Sequence, residues 1–215
     1  MLDYIIEVDS ATKEFKTSKV LQEVSVKFER GKIHGIIGRN GSGKTMLFKS
    51  ILGFTNLSSG NIYINGKKSS PNQIHADIGI IIETPGFLPH LSGYKNLKLL
   101  AAVLKRATDD EVRQAIRLVG LDDKSRKRVS KYSMGMRQRL GIAQAIMEHP
   151  KILILDEPLN GLDNLGVQQM RQLFLELKEK GVTILMASHN GDDIRMLCDT
   201  VHEMDGGRIT SIKQG

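Results

Sequence analysis

The segment Gly38-Arg39-Asn40-Gly41-Ser42-Gly43-Lys44-Thr45 brings three glycines, a lysine and a threonine into eight residues. Glycines let a backbone curl until successive N–H groups point at one anion. The segment follows the apolar run Ile33 to Ile37 and precedes Met46, Leu47, Ile51 and Leu52, which recur at helical spacing. A helix beginning there adds the partial positive charge of its N-terminus. Phosphate suits such a cradle. Lys44 can neutralise the β- and γ-phosphates of a nucleotide, and the Thr45 hydroxyl can ligate Mg²⁺. The plainer alternative is a glycine turn before a helix, and the strand–loop–helix context with its Lys-Thr ending argues against it.

A second group stands at Ile152-Leu153-Ile154-Leu155-Asp156-Glu157-Pro158, where an apolar strand ends in two acids. In a doubly wound sheet, ligands gather at the carboxyl ends of strands. Asp156 suits Mg²⁺, through a water, and Glu157 suits polarising the water that attacks a phosphate. Taken alone, such a pair is ordinary turn chemistry; the phosphate loop upstream gives it a task. His189 follows the next apolar run, Val182 to Met186, and is expected at the same edge. There it can hydrogen-bond a γ-phosphate and hold the water geometry.

These groups need a scaffold. Short β-branched runs recur at Ile5 to Val8, Val24 to Phe28, Ile33 to Ile37, Ile78 to Ile82, Ile152 to Leu155 and Val182 to Met186. Several are apolar on both faces, as strands buried between helical layers are. Val167, Met170, Leu173, Phe174 and Leu177 form a helical stripe ended by Gly181, between the last two runs. That is a βαβ unit, which predicts a parallel sheet with right-handed crossovers. From about Thr84 to Ser130 no strand is convincing. Tyr94, Leu97, Leu100, Ala101 and Leu104 recur at helical spacing, and Thr108 with Glu111 predicts a capping box for Val112, Ile116 and Val119. A helical insert is therefore expected, entered through Thr84-Pro85-Gly86-Phe87-Leu88-Pro89, and a hairpin is expected at Asp205-Gly206-Gly207.

Composition narrows the setting. The 215 residues are 40% hydrophobic and 26% charged, which is ordinary globular usage. The formal charge of +7 permits attraction to phosphates, anionic lipid or nucleic acid without choosing among them. Cys198, the single cysteine, cannot form an internal disulfide and reads as a small buried apolar side chain, consistent with a cytosolic setting. Asp3, Glu7 and Asp9 stand where a signal peptide would need a basic start and an apolar run. No apolar stretch approaches the roughly 18 residues that span a bilayer. A soluble protein is expected, with any membrane role exercised through a partner.

Tyr132-Ser133-Met134-Gly135-Met136-Arg137-Gln138-Arg139, at a helix start before Asp156, resembles the signature of ABC ATPases, usually Leu-Ser-Gly-Gly-Gln. The likeness covers nearly the whole chain in the expected order. It implies an α/β P-loop NTPase fold of ABC type: a mostly parallel core sheet, an N-terminal antiparallel β subdomain and an inserted helical subdomain. The whole of 1–215 would be one ATPase domain, with 1–83 and 146–215 as catalytic core and 84–145 as the helical signature subdomain. The same resemblance gives Phe15 the place of the aromatic stacked on adenine and Glu83 the place of a metal-touching glutamine. Leu159-Asn160-Gly161-Leu162-Asp163 looks like the D-loop, and His189 like the switch histidine. It further implies a head-to-tail dimer, in which Ser133 and Gly135 of a second subunit close over each ATP, and a permease helix docked between the insert and the Glu83 segment. The cofactors implied are ATP and Mg²⁺, and the location is the inner face of the cell membrane.

Three departures mark the chain. Met134 and Met136 replace a glycine and the glutamine of the signature, adding bulk and removing one side-chain donor. Glu83 adds negative charge beside a polyphosphate, a change expected to tune turnover. Together these variants resemble bacterial ABC exporters of peptide antibiotics, including bacitracin and lantibiotic types. Two rival classes are disfavoured. ABC-type ATPases acting on nucleic acid or ribosomes usually carry coiled-coil insertions or tandem nucleotide domains, absent here, so no nucleic-acid partner is expected. A small-molecule P-loop kinase would have no use for the signature helix or for Glu157.

Overall fold

A computed structural model describes residues 3–70, 75, 77–83 and 86–214. The elements in chain order are β1 (Tyr4–Phe15), β2 (Ser18–Glu29), β3 (Ile33–Ile37), α1 (Lys44–Ile51), β4 (Ser59–Ile64), β5 (Lys67–Lys68) and β6 (Ile78–Ile81). Then come α2 (Gly93–Leu104), α3 (Asp109–Leu118), a 3-10 turn at Val129–Lys131, α4 (Met134–Ile146), β7 (Ile152–Asp156) and α5 (Asn164–Glu179). The chain closes with β8 (Thr183–Ala187), α6 (Gly191–Leu197), β9 (Thr200–Asp205) and β10 (Arg208–Gln214).

Two sheets organise these elements. One is antiparallel, in the order β2-β1-β4-β5; the other runs β10-β9-β3-β8-β7-β6. In the larger sheet β9, β3, β8, β7 and β6 are mutually parallel, and only β10 is antiparallel, joined to β9 through Gly206-Gly207 as expected. Successive side chains of a strand face opposite sides. In β7, Leu153 and Leu155 enter one apolar cluster while Ile152 and Ile154 enter another. The same split divides Ile184 and Met186 from Leu185 and Ala187 in β8. Both faces are covered, which is why these runs carry no polar alternation.

One cluster joins the sheet to Leu97 of α2, Val112 and Ile116 of α3, Leu140 of α4 and Phe174 of α5. The other joins it to the antiparallel sheet and to Leu47, Phe48 and Ile51 of α1. Local caps agree with the global fold. Thr108 Oγ1 accepts from the Glu111 N–H (3.3 Å) while the Glu111 carboxylate accepts from the Thr108 N–H (2.7 Å). That is the capping box read from the sequence, worth about 1 kcal/mol. Cys198 is buried beside Gly35, and burial pushes its thiol up to about 12, so it stays an inert apolar group.

Some elements differ from the sequence reading. β1 extends to Phe15, past the expected Val8, because register shifts between Val8 and Lys13 absorb the polar residues that break its alternation. β4 and α6, six and seven residues long, span too few periods to declare themselves in the sequence. Thr84 and Pro85, in the expected entry to the insert, lie outside the described residues.

Candidate active site

Strand order assembles the site. β8 lies between β3 and β7, so the carboxyl ends of three parallel strands open at one edge. β3 feeds the loop from Gly38 to Gly43, β7 ends at Asp156, and β8 leads to Ser188 and His189. At that edge a cavity of about 560 Å³ is lined by Asn40, Gly41, Gly43, Lys44, Thr45, Lys49, Glu83, Asp156 and Glu157, with Val20, Met46, Met134, Gln138 and Asn160 completing its wall.

The loop closes on α1 through Gly43, whose φ of 108° belongs to the left-handed half of conformational space. A Cβ there would stand 2.8 Å from Val20 O, so position and torsion both select glycine. The hairpin turn supports the loop from beneath: the Gly207 N–H donates to Ser42 O at 3.0 Å. Lys44 is buried and donates to Gly38 O (2.7 Å) and Arg39 O (3.1 Å). Ser42 Oγ is buried and has no hydrogen-bond partner among the described residues, an orphaned polar atom inside the anion cradle.

The Thr45 hydroxyl donates to Asp156 Oδ2 at 2.5 Å. A hydroxyl and a carboxylate oxygen at a phosphate cradle are the hard donors Mg²⁺ prefers when substrate phosphates and waters supply the other ligands. Among the described residues no cluster of three or more His, Cys, Asp or Glu side chains could hold a metal unaided. The residues fit Mg²⁺. Glu157 has a φ of 50°, and its N–H donates to Ala187 O (2.9 Å). His189 Nδ1 donates to Glu157 Oε2 at 2.9 Å. Glu83, with φ 60°, pairs with Lys49 at 2.5 Å.

Other expected residues lie elsewhere. Phe15 is 46% exposed at the end of β1, with the Lys13 ammonium 4.8 Å from its ring, and is not part of the cavity wall. Ser133 caps α4 by accepting from the Met136 N–H (3.1 Å). Gly135 lies against the Gly161 carbonyl, and Asp163 caps α5 by accepting from the Gly166 N–H (3.0 Å). Met134, 62% exposed, reaches across Gly161 to the cavity.

Sequence reasoning missed Lys49 and Gln138. Lys49 is four residues beyond Thr45, so helical spacing alone placed it on the same face. Gln138 Nε2 donates to Glu157 O (3.3 Å) and Pro158 O (2.8 Å), tying α4 to the backbone at the catalytic edge. No local signal announces that contact.

Fold, phosphate loop and paired carboxylates together define an ATPase of the ABC type. The family model described as ABC transporter matches residues 21–160, and the chain belongs to that family. It is an ATP-binding subunit whose activity is ATP hydrolysis. It is 43% identical over 95% of its length to the uncharacterized ABC transporter ATP-binding protein YybJ of Bacillus subtilis, covering 94% of that protein. It is 39% identical over 97% of its length to the bacitracin transport ATP-binding protein BcrA of Enterococcus faecalis, covering 69% of that chain. Among solved structures it resembles CbiO1 of Clostridium perfringens, part of the ABC transporter complex CbiONQ (TM-score 0.85, 29% identity, 99% and 89% of the two chains covered). The fold also matches a dimeric ATP-binding cassette bound to ADP and phosphate (TM-score 0.88, 21% identity, 97% and 98% covered). Among the described residues no helix is long and apolar enough to cross a membrane.

Proposed function

We propose that the chain powers export of a peptide antibiotic or related compound through a separate transmembrane permease, docked on the inner face of the cell membrane. The observation that carries the mechanism is the meeting of Lys44, Thr45, Glu83, Asp156 and Glu157 around one cavity. The backbone N–H groups from Gly38 through Arg39, Asn40, Gly41, Ser42 and Gly43 donate to phosphate oxygens, the Ser42 N–H exchanging Arg39 O (3.1 Å) for phosphate. Lys44 adds its charge, and the exposed Phe15 ring receives adenine. Thr45, Asp156 and Glu83 would hold Mg²⁺, which would neutralise charge on the β- and γ-phosphoryl oxygens. Glu157 orients the attacking water, and His189 steadies that carboxylate and reaches the γ-phosphate.

A second copy of the chain, head to tail, completes each pocket. Its Ser133 and Gly135 bring the positive end of α4 to the γ-phosphate, and its Asp163 lies beside them. Residues 84–145 act as a helical subdomain between core and permease, so that closure of the dimer moves the permease. Peptide-antibiotic cargo is supported by the likeness to a bacitracin transport protein and by Glu83, Met134 and Met136.

Mixing two disabled variants tests this reading. Lys44→Ala loses its own phosphate cradle, and Ser133→Ala loses what it lends to its neighbour. Each alone is expected to release phosphate very slowly, while the mixture recovers turnover in pockets that combine an intact loop with an intact serine. A mixture no faster than its components would overturn the shared-pocket mechanism.

A further inference from the structure

Lys49 lies one helical turn beyond Thr45 in α1, and its Nζ stands 2.5 Å from Glu83 Oε1 at the wall of the same cavity. The arrangement answers an electrostatic problem. Asp156, Glu157 and Glu83 put three carboxylates around a space that must admit a polyphosphate. Lys44 supplies one cation, held at the Gly38 and Arg39 carbonyls. Lys49 supplies a second, and Glu83 receives it. Its place in the last turn of α1 favours a cation, because the helix ends there in partial negative charge.

Glu83 also holds a left-handed backbone, φ 60°, which residues other than glycine adopt rarely. Backbone and ion pair together aim this carboxylate at α1. The pair is nonetheless solvent-screened, with the Glu83 side chain 67% exposed, so the contact can be exchanged for another without a large penalty. A glutamine at position 83 would need no such counter-ion.

We propose that Lys49 is the positioning residue for Glu83. It neutralises the carboxylate so that the polyphosphate can enter beside it, and it yields Glu83 to the nucleotide side once Mg·ATP is seated. The second half rests on the reading of Glu83 as a metal ligand; the first half does not.

The test is equilibrium titration of ATP, without Mg²⁺ and then with it, into the full chain and into K49M, K49R, E83Q and the K49M/E83Q double variant. Without Mg²⁺, K49M is expected to weaken ATP binding about tenfold by leaving a bare carboxylate beside the phosphates. In the E83Q background the same change should cost less than about twofold, and K49R should bind as the parent does. An equal loss in both backgrounds would overturn the proposal, making Lys49 a direct phosphate contact. The metal-ligand reading fails separately, if E83Q leaves the gain in affinity on adding Mg²⁺ unchanged. Thermal unfolding of each variant, with K49R as the conservative control, separates misfolding from lost charge.

Discussion

The His189 imidazole donates from Nδ1 to Glu157 Oε2 across 2.9 Å, while the Glu157 N–H is anchored at Ala187 O. The acid is thus held from two sides by the end of one neighbouring strand. The contact orders the carboxylate at Oε2.

Glu157→Gln should preserve ATP affinity and lower turnover by at least about a hundredfold, since it removes the acceptor for the water proton and little else. The variant should also accumulate as an ATP-bound dimer in size-exclusion chromatography. His189→Ala should fall between the parent and Glu157→Gln. Phosphate release measured under saturating ATP decides it; a Glu157→Gln chain that turns over at the parental rate would remove Glu157 from the mechanism.

Chelating Mg²⁺ should abolish hydrolysis and leave ATP binding detectable, because the phosphate loop binds the anion by its own N–H groups and Lys44. Asp156→Asn should lose about tenfold in ATP affinity with Mg²⁺ present and change less than about twofold without it. Titration with a fluorescent ATP analogue in both conditions checks this. An equal loss in both would mean that Asp156 acts only on the Thr45 hydroxyl.

Gly79 of β6 sits so near α4 that a Cβ there would meet Ala145 O at 2.0 Å. Gly79→Ala must push the helix that carries Ser133 off the sheet. A loss of about 2–3 kcal/mol in urea unfolding is expected, of the size typical for overpacking in a core. A variant with parental stability would show that this helix moves more freely than its contacts imply.

Acid should weaken the fold through a buried histidine chain. His34 Nε2 donates to Glu29 O (2.9 Å), so its Nδ1 accepts from the Thr200 hydroxyl at 2.6 Å. Thr200 Oγ1 in turn lies 3.3 Å from His202 Nε2, and His202 Nδ1 is buried beside the Phe28 ring with no partner among the described residues. Burial lowers both histidines, His202 to about 4, with the His34 charge adding to the effect. A folded-state value below the unfolded one means that unfolding takes up protons. Stability is therefore full above about pH 6.5 and falls as the pH drops toward 4, by about 3 kcal/mol for His202. His202 is 2% exposed, so little screening reduces that figure. Denaturant unfolding at pH 7 and pH 5 should show the loss, and His202→Gln should shrink it. A profile unchanged by the substitution would assign the acid sensitivity to other groups.

The sequence by itself determined what neighbouring residues can arrange among themselves. The turn and charge of the phosphate loop, the two-faced apolar runs of β3, β7 and β8, the Thr108–Glu111 box and the Asp205-Gly206-Gly207 hairpin all depend on spacings of a few residues. Backbone torsion and side-chain period encode such features locally, so they can be read before any tertiary contact is known. The ABC resemblance extended that reading by supplying the order of distant motifs.

Only the tertiary structure decided which distant groups touch. Thr45 meets Asp156, His189 meets Glu157 and Lys49 meets Glu83 because β8 lies between β3 and β7, with β6 on the far side of β7. Strand order is chosen by how two apolar faces are buried together, a property of the whole chain that no window of it contains. The same cause hid the tie from Gln138 to Glu157 and left Phe15 on an open strand end. It also gave Glu83 a counter-ion that its position in the sequence had not announced.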